Sequence, residues 1–561
     1  MDNALLILHA EDIPLAEQVA AKVGNFCVVV FDPVLQDRVL QSTLPQAHFI
    51  SWDEAPAYAS LYSQAQRSAQ ALERELDAIR ARHLPQFSIQ GWQHLHLYYL
   101  HLSLHWHRNL AQSMLPRLQN YRLHLFLCEH VAAYHLNSFV PALMFLQMAR
   151  NFGLDCQAYT YRSKQEAPEL MPDFSTPCPH ADGQYLLAHL PTCVYDMPYF
   201  NQEMQASGLP VLEIAAKNFD VPIPCASMVG LFPASQYQAA ADISGAIEAF
   251  LEQGADLVQG FLEQHIATPA FCARQLEKWR QSCRSQLYTW FALQAYCQHS
   301  KPRRLLISDH DAGLHGPLLA WAQSAQIPVL MLPHSKTSPD QEFSCAGVQA
   351  LVHAAQGEAM YDAQQRPIPH AALAFPGQLR FDCAMPAPLK TVGLLLNAFS
   401  LSGIYYANWR QYLDGIRQIH AFCQQRGLRL LLRCKPSYTL MLNLAQDLNI
   451  EPELVHSQTR ISMAEFAANC DVCVMYDTPS AAALDFLAQG IPILNPILAH
   501  LSRHQLPTTP PDALPRIALD DCLHKLAAFC ADPAFLLQYR LQQSAAYAAR
   551  FAQARALRAF L

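Results

Sequence analysis

The stretch Cys470–Pro496, CDVCVMYDTPSAAALDFLAQGIPILNP, decides the fold class of this 561-residue chain. It begins with an apolar run at Val472–Met475, continues through a polar turn into a helical pattern, and ends in a second apolar run at Ile493–Leu494. A strand, a helix and another strand in this order, with strands that are apolar on both faces, predict a parallel sheet covered by helices. The stretch therefore predicts an α/β fold.

The same alternation of short apolar runs and longer helical patterns extends along the rest of the chain. Before residue 380 the predicted strands are Ala4–Leu8, Phe26–Phe31, Leu123–Leu127, Tyr185–Ala188, Val211–Ile214, Leu305–Ile307 and Val329–Leu332. After it they are Val392–Leu396, Leu428–Leu432, Val472–Met475 and Ile493–Leu494. Two series of this kind predict two Rossmann-like, doubly wound parallel sheets.

The predicted domain organisation follows from where strands are missing and where prolines interrupt the pattern. Pro386 and Pro388 block a helix between the two series. The predicted parts are an N-terminal domain 1–380 with helical insertions near 55–120 and 236–300, a linker 381–390, a C-terminal domain 391–532, and a C-terminal helix 533–561.

Composition excludes several classes of protein. Hydrophobic residues make up 52% of the chain and charged residues only 15%, which excludes a disordered protein. The net charge is −8 and no block of lysine and arginine occurs, so no nucleic-acid partner is expected. The 17 cysteines have no regular spacing and are interpreted as buried thiols in a reducing cytosol.

The sequence also bears on location. The first residues resemble a signal peptide poorly, and no apolar run approaches the ~18 residues of a membrane-spanning helix. A cytoplasmic protein is predicted, with peripheral association at the inner face of the cytoplasmic membrane left open.

Histidine is abundant, with 25 residues, and is densest in the run QHLHLYYLHLSLHWHR at 93–108. His101 and His105 are four residues apart and would share a helix face, as zinc-binding pairs do. No acidic residue accompanies them, so a half-exposed amphipathic helix explains the run and no metal site is predicted.

Polar residues follow several predicted strands of the N-terminal series. Ligands bind beyond the carboxyl ends of parallel strands, and a carboxylate there can act as a general base. The candidate bases are Asp309, Asp311 and Glu129, with the same pattern at His9, Glu11 and Asp12; His310, His334 and Lys336 complete the candidates at this edge. Helix capping for the aspartates and ordinary loop or structural roles for the others remain alternatives.

A second group of candidates belongs to the C-terminal series. Arg433 and Lys435 end one strand, while Asp477, Thr478 and Ser480 follow another and precede a helix. Helix N–H groups, hydroxyls and cations suit a diphosphate, and Asp485, further along the helix, could reach a ribose diol. A capped helix with Ser480 as the cap, and a solvated pair of cations, are the alternatives.

Over Leu305–Pro496 these blocks together resemble bacterial glycosyltransferases of the GT-B architecture, of the capsule and surface-polysaccharide type. The motifs that carry the resemblance are LLISD, IPVLMLPHS, FPGQLRFD, VGLLLNAFS, LLLRCKPS and DTPSAAALDFLAQGIPIL. The segment Gly377–Asp382 resembles the crossing between the two domains, which makes Arg380 a further cleft candidate. Ser335 departs from the His-Gly pair that such families often have after the strand.

The resemblance implies an enzyme that transfers a sugar from a nucleotide-sugar donor to a glycan or lipid-linked glycan. Ser480 and Asp485 would bind the nucleotide, His334 would hydrogen-bond a phosphate, and Asp309, Asp311 or Glu129 would be the base. Neither a cofactor nor an obligatory metal ion is expected, and a single displacement step would invert the anomeric centre. The resemblance also implies that the last helix crosses back onto the first domain.

Two other functions share the pattern. DTPSAAALDF is similar to the Ser-Ser-x-x-x-Asp pattern of CDP-glycerol glycerophosphotransferases, although Ala481 replaces the second serine. A scaffold on a GT-B core that has lost its activity is the alternative that is not an enzyme. Nucleotide-sugar 2-epimerases share the two-domain plan, but the helical insertions here argue against them.

Overall fold

A computed structural model describes most of the chain. The described residues are 2–30, 33–44, 48–50, 58–87, 108, 111–128, 142–161, 170–191, 193, 197–214, 226–265, 269–309, 314–333, 345–353, 360–362, 366–374, 387–396, 409–434, 448–450, 460–476, 482–497, 514–552 and 554–561.

The first part of the chain forms a parallel sheet. Its described elements are β1 Asp2–Leu6, α1 Ile13–Val23, β2 Phe26–Val29, α2 Pro33–Leu40, β3 His48–Ile50, α3 Tyr58–His83, β4 Tyr121–Cys128, α4 Ala142–Asn151 and β5 Cys156–Tyr161. The described strands pair in the order β3-β2-β1-β4-β5, all parallel. The direction of winding therefore reverses between β1 and β4.

The middle part forms a larger parallel sheet. Its described elements are β6 Leu170–Pro172, β7 Leu186–His189, α5 Met197–Ala206, β8 Val211–Ile214, β9 Ala226–Val229, β10 Leu231–Pro233, α6 Ala241–His265, α7 Pro269–Tyr296, β11 Arg304–Ser308, α8 His315–Ala325, β12 Val329–Leu332, β13 Val348–His353 and β14 His370–Leu373. Seven described strands pair in the order β14-β13-β12-β11-β7-β8-β9, while β6 and β10 form a separate antiparallel pair.

The last part forms a third parallel sheet. Its described elements are β15 Thr391–Leu396, α9 Trp409–Gln425, β16 Arg429–Cys434, α10 Met463–Ala468, β17 Val472–Tyr476, α11 Ala483–Ala488, β18 Ile493–Pro496, β19 Arg516–Ile517, α12 Leu519–Ala531 and α13 Pro533–Phe551. The described strands pair in the order β16-β15-β17-β18-β19, all parallel.

The predicted α/β class with doubly wound parallel sheets is confirmed, and each predicted strand coincides with an observed one. Residues 1–380 differ from the prediction in one respect, because their described strands form two parallel sheets instead of one. Among the described helices, none is both long enough and apolar enough to span a membrane.

The two sheets of residues 1–380 share one apolar core. Leu6 of β1, Leu76 of α3, Trp279 of α7 and Ile307 of β11 belong to the same cluster of buried side chains. Helices from both predicted insertions thus contribute to the core that the two sheets share. Burial of this apolar surface joins the two sheets into one unit.

The chain returns to the middle sheet after α13. Within α13, Gln543 holds β18 through both of its amide atoms, at 2.7 Å from Ile493 N and 2.9 Å from Ile493 O. The residues that follow contact the seven-stranded sheet instead, where Arg555 forms a parallel bridge with Leu373. Leu557 is fully buried there, and its N–H donates to the Tyr199 hydroxyl at 3.2 Å.

Gly415 in α9 makes room for the side chain that ends β17. The Tyr476 hydroxyl donates to Tyr412 O at 3.0 Å, and a Cβ added at Gly415 would lie 2.8 Å from Tyr476 Cζ. We expect Gly415→Ala to lower the free energy of unfolding by about 1–3 kcal/mol through overpacking, as measured by urea unfolding. Gly245→Ala in α6 is the control, because a Cβ added there would meet no neighbouring group within 4 Å. This variant should not destabilise the protein. Equal stability of both variants would contradict the packing.

The burial of His124 in β4 predicts that the protein loses stability at acidic pH. Its ring is almost fully buried between Asn3 Oδ1 and the Tyr159 hydroxyl, both at 2.9 Å, and burial lowers its pKa. Between that lowered pKa and the ordinary value of 6.5, the unfolded chain binds more protons. Stability should therefore fall as the pH drops below 6.5.

Urea unfolding at pH 7 and pH 5 measures this dependence. His124→Gln keeps a donor and an acceptor but does not titrate, so it should lose less stability than the unmodified protein over that interval. Identical pH dependence of the two proteins would contradict the assignment to His124.

Candidate functional site

The strand orders locate the candidate sites. In open α/β sheets, ligands bind beyond the carboxyl ends of the strands, where the direction of winding reverses. This reversal lies between β7 and β11 in the seven-stranded sheet and between β15 and β17 in the C-terminal sheet. The N-terminal sheet has its own reversal between β1 and β4.

Asp309 lies at the reversal point of the seven-stranded sheet. It directly follows β11, and its N–H donates to Leu332 O, 2.9 Å away at the end of β12. The residue is buried, with 6% of its surface exposed. Since the backbone of Asp309 is fixed to the neighbouring strand, its carboxylate is held at the edge where a ligand of this sheet would bind.

Two buried histidines border the same point. His189 is the last residue of β7, and His315 is the first residue of α8, which follows the Asp309 loop. Their rings meet edge to face with centroids 5.7 Å apart. Nε2 of His315 donates to Ser308 O at 2.8 Å, because a carbonyl can only accept. A carboxylate and two imidazoles are side chains that can take up and release protons.

Six further candidates of the N-terminal series lie outside the described residues. They are Glu129, His310, Asp311, His334, Lys336 and Arg380. Glu129 follows β4, which belongs to the first sheet, whereas Asp309 follows a strand of the second. The two carboxylates were expected on one sheet, and the chain places their strands in different sheets.

In the C-terminal sheet, Asp485 lies near enough to Arg433 to act on its charge. Burial lowers the pKa of Arg433, and the nearby Asp485 carboxylate opposes that shift. The Arg433 guanidinium donates from Nη1 to Ile461 O at 2.7 Å and lies 5.5 Å above the Phe466 ring. Arg433 therefore links β16 to the turn before α10 and to α10. The acid predicted for nucleotide binding is near enough to act on this cation through its charge.

The remaining nucleotide-binding candidates, Lys435, Asp477, Thr478 and Ser480, also lie outside the described residues. The strand end that precedes three of them is described. Asn495 of β18 donates from Nδ2 to Met475 O at 2.7 Å, and Tyr476 is bonded to Tyr412 as above. The carboxyl end of β17 is thus held from both sides.

The reversal point of the N-terminal sheet carries a bonded carboxylate. Asp12 is fully buried, and its Oδ2 accepts the N–H groups of Leu8 and His9, each at 2.9 Å. The Tyr161 hydroxyl donates to its Oδ1 at 2.7 Å and so ties β5 to the end of β1. Burial raises the pKa of Asp12 in spite of these bonds. Asp12 therefore has a structural role, which is to connect the end of β1 to β5.

Two residues of these edges were not predicted. His189 directly follows the predicted strand Tyr185–Ala188, so its position at a strand end was readable from the sequence. Asn495 lies within an apolar run, and a polar residue there is the signal that a buried amide needs partners. Among the described residues, no group of three or more histidine, cysteine and acidic side chains has the arrangement of a metal site.

No protein-family model matches the chain, and no curated protein sequence matches it significantly. Solved structures do resemble it. MurG from Acinetobacter baumannii is 9% identical, with 64% of this chain and 95% of that chain covered and a TM-score of 0.35. A UDP-forming trehalose-phosphate synthase from Burkholderia xenovorans is 10% identical, with 66% and 95% covered and a TM-score of 0.34. WaaG, a glycosyltransferase involved in lipopolysaccharide biosynthesis, is 11% identical, with 64% and 94% covered and a TM-score of 0.28.

Proposed function

We propose that this protein is a glycosyltransferase that moves a sugar from a nucleotide sugar to a glycan or lipid-linked glycan. One observation carries the proposal: two doubly wound sheets have different chemistry at their carboxyl edges. The seven-stranded sheet has a buried carboxylate with two imidazoles, and the C-terminal sheet has the Arg433 cation, on whose charge the Asp485 carboxylate acts. A base and a nucleotide site on separate sheets suit a reaction that joins two substrates.

Asp309 is the proposed base. It would remove the proton from an acceptor hydroxyl as that oxygen attacks the anomeric carbon of the sugar. The bond between the sugar and the nucleotide phosphate then breaks, and the electron pair leaves with the phosphate. A single displacement of this kind inverts the anomeric centre. Asp311 and Glu129 are the other candidates for this step.

The leaving nucleotide gains negative charge in this step and needs stabilisation. Arg433, Lys435, Thr478 and Ser480 would provide it as hydrogen-bond donors, with Asp485 binding the ribose diol. His334 and Lys336 would meet the phosphate from the other domain. This arrangement neutralises the leaving group without an obligatory metal ion, and the resemblance supports a role in bacterial surface-polysaccharide biosynthesis at the inner face of the cytoplasmic membrane.

A thermal-shift screen tests the proposal. We expect one of the UDP-, GDP-, CMP- or CDP-linked donors to raise the melting temperature, since a ligand at 100 times its Kd adds about 2.7 kcal/mol of stability. Analysis of the product then identifies the reaction. Transfer of a polyol phosphate would instead identify a CDP-polyol phosphotransferase, and no shift with any donor would support a scaffold without enzymatic activity.

A further inference from the structure

A buried asparagine in β18 has one amide atom that is hydrogen-bonded and one that has no partner among the described residues. Asn495 is fully buried, and its Nδ2 donates to Met475 O at 2.7 Å. Its Oδ1 has no hydrogen-bond partner within the described ranges of the chain. Buried acceptors are rarely left without a donor, because they lose their bonds to water and gain nothing in return.

The position of Asn495 relates this atom to the proposed nucleotide site. It is the last residue but one of β18, so it lies at the carboxyl edge of the C-terminal sheet. Its amide holds Met475, next to the end of β17, and Asp477 follows that strand directly. The unsatisfied acceptor therefore lies at the edge where the nucleotide would bind.

We propose that Asn495 is a positioning residue for nucleotide binding. Its Nδ2 holds the end of β17 in both the free and the nucleotide-bound protein. Its Oδ1 accepts a hydrogen bond only when a nucleotide is bound. The free protein keeps an unsatisfied acceptor, and binding satisfies it. Part of the affinity for the nucleotide then comes from Asn495. This inference rests on the proposed function, because it requires that the edge binds a nucleotide.

Asn201 provides a matched control. It is also a buried asparagine whose Oδ1 lacks a partner among the described residues, but it lies on α5, in the seven-stranded part of the chain. Asn495→Leu and Asn201→Leu remove the same amide from the two places. Asn495→Thr keeps one hydroxyl that can donate and accept, and it suits a strand.

Isothermal titration with UDP, GDP and CDP is the test, using the nucleotide that the unmodified protein binds most tightly. We expect Asn495→Leu to raise the Kd about tenfold, the effect of one lost hydrogen bond, and Asn495→Thr to recover part of it. Asn201→Leu should leave the Kd unchanged. In steady-state assays, Asn495→Leu should raise the KM for the nucleotide sugar and leave kcat nearly unchanged.

A second measurement is made on the unmodified protein and needs the Asn495→Thr variant only to assign one resonance. In protein labelled with 15N-asparagine, saturating nucleotide should shift the side-chain amide resonance that the Asn495→Thr spectrum lacks. A wild-type Kd in Asn495→Leu, or an Asn495 resonance that nucleotide does not move, overturns this inference and leaves the proposed function intact. Failure of the unmodified protein to bind any of the three nucleotides overturns both.

Discussion

Asp309→Asn is expected to lower kcat by about 10²- to 10⁴-fold, the range found when a general base is removed. The amide is the same size as the carboxylate but cannot take a proton from the acceptor hydroxyl. The backbone bond from Asp309 N to Leu332 O does not involve the side chain, so the local fold should persist. Nucleotide release during turnover measures the loss, and the Kd for the nucleotide should be unchanged because it binds the other sheet.

Asp182→Asn is the control for this prediction. Asp182 precedes β7, at the amino end of the same sheet, where its carboxylate accepts the Lys301 N–H at 2.8 Å. It is exposed, and a ligand at the carboxyl edge would not reach it. If Asp309→Asn turned over as fast as Asp182→Asn, the base would have to be another group at this edge, with His189 the first to examine.

Most of the strands that the sequence predicted are buried on both faces. Val329–Leu332 and Val472–Met475 read as unbroken apolar runs, and both are strands of buried residues. Cys156–Tyr161 was missed because it is an edge strand whose residues are exposed or only partly buried, without an apolar run. His48–Ile50 is only three residues long, which gives no measurable periodicity.

The number of sheets could not be read from the strands. Pairing between strands far apart in sequence decides it, and in this chain β4 and β11 belong to different sheets. The sequence pattern shows that 55–120 and 236–300 favour helices, but not that these helices join the core shared by two sheets. Glu129 and Asp309 were therefore assigned to one edge although their strands belong to different sheets.

For the candidate site too, the sequence predicts the positions of residues but not the contacts between them. Strand ends are local, so Asp309 and Arg433 could be located from the apolar runs that precede them. The electrostatic effect of Asp485 on Arg433 depends on how β16 and α11 pack, and the contact between His189 and His315 depends on the pairing of β7 with β11. Such contacts follow from the strand order, which no short window of sequence contains.

The residues after α13 give the largest expected effect on stability. Leu557 is fully buried in a cluster with Leu306, Leu330 and Leu332 of the seven-stranded sheet. We expect Leu557→Ala to lower the free energy of unfolding by about 2–5 kcal/mol, through lost apolar contact and the cavity left behind. Deletion of residues 554–561 should cost more, because Leu561 and the bridge between Arg555 and Leu373 are lost as well. Urea unfolding measures both.

Arg558→Ala distinguishes the contribution of charge to stability from that of apolar packing in the same segment. The Arg558 side chain is 58% exposed, and its ion pair with Glu203 spans 3.8 Å, so its loss should cost less than about 1 kcal/mol.

Leu557 packs against the middle sheet, whereas the nucleotide candidates belong to the C-terminal one. Leu557→Ala should therefore make unfolding deviate from two states, with the unit that contains the first and middle sheets unfolding first while nucleotide binding persists. A single transition at the wild-type midpoint would show that the returning segment contributes nothing to that core.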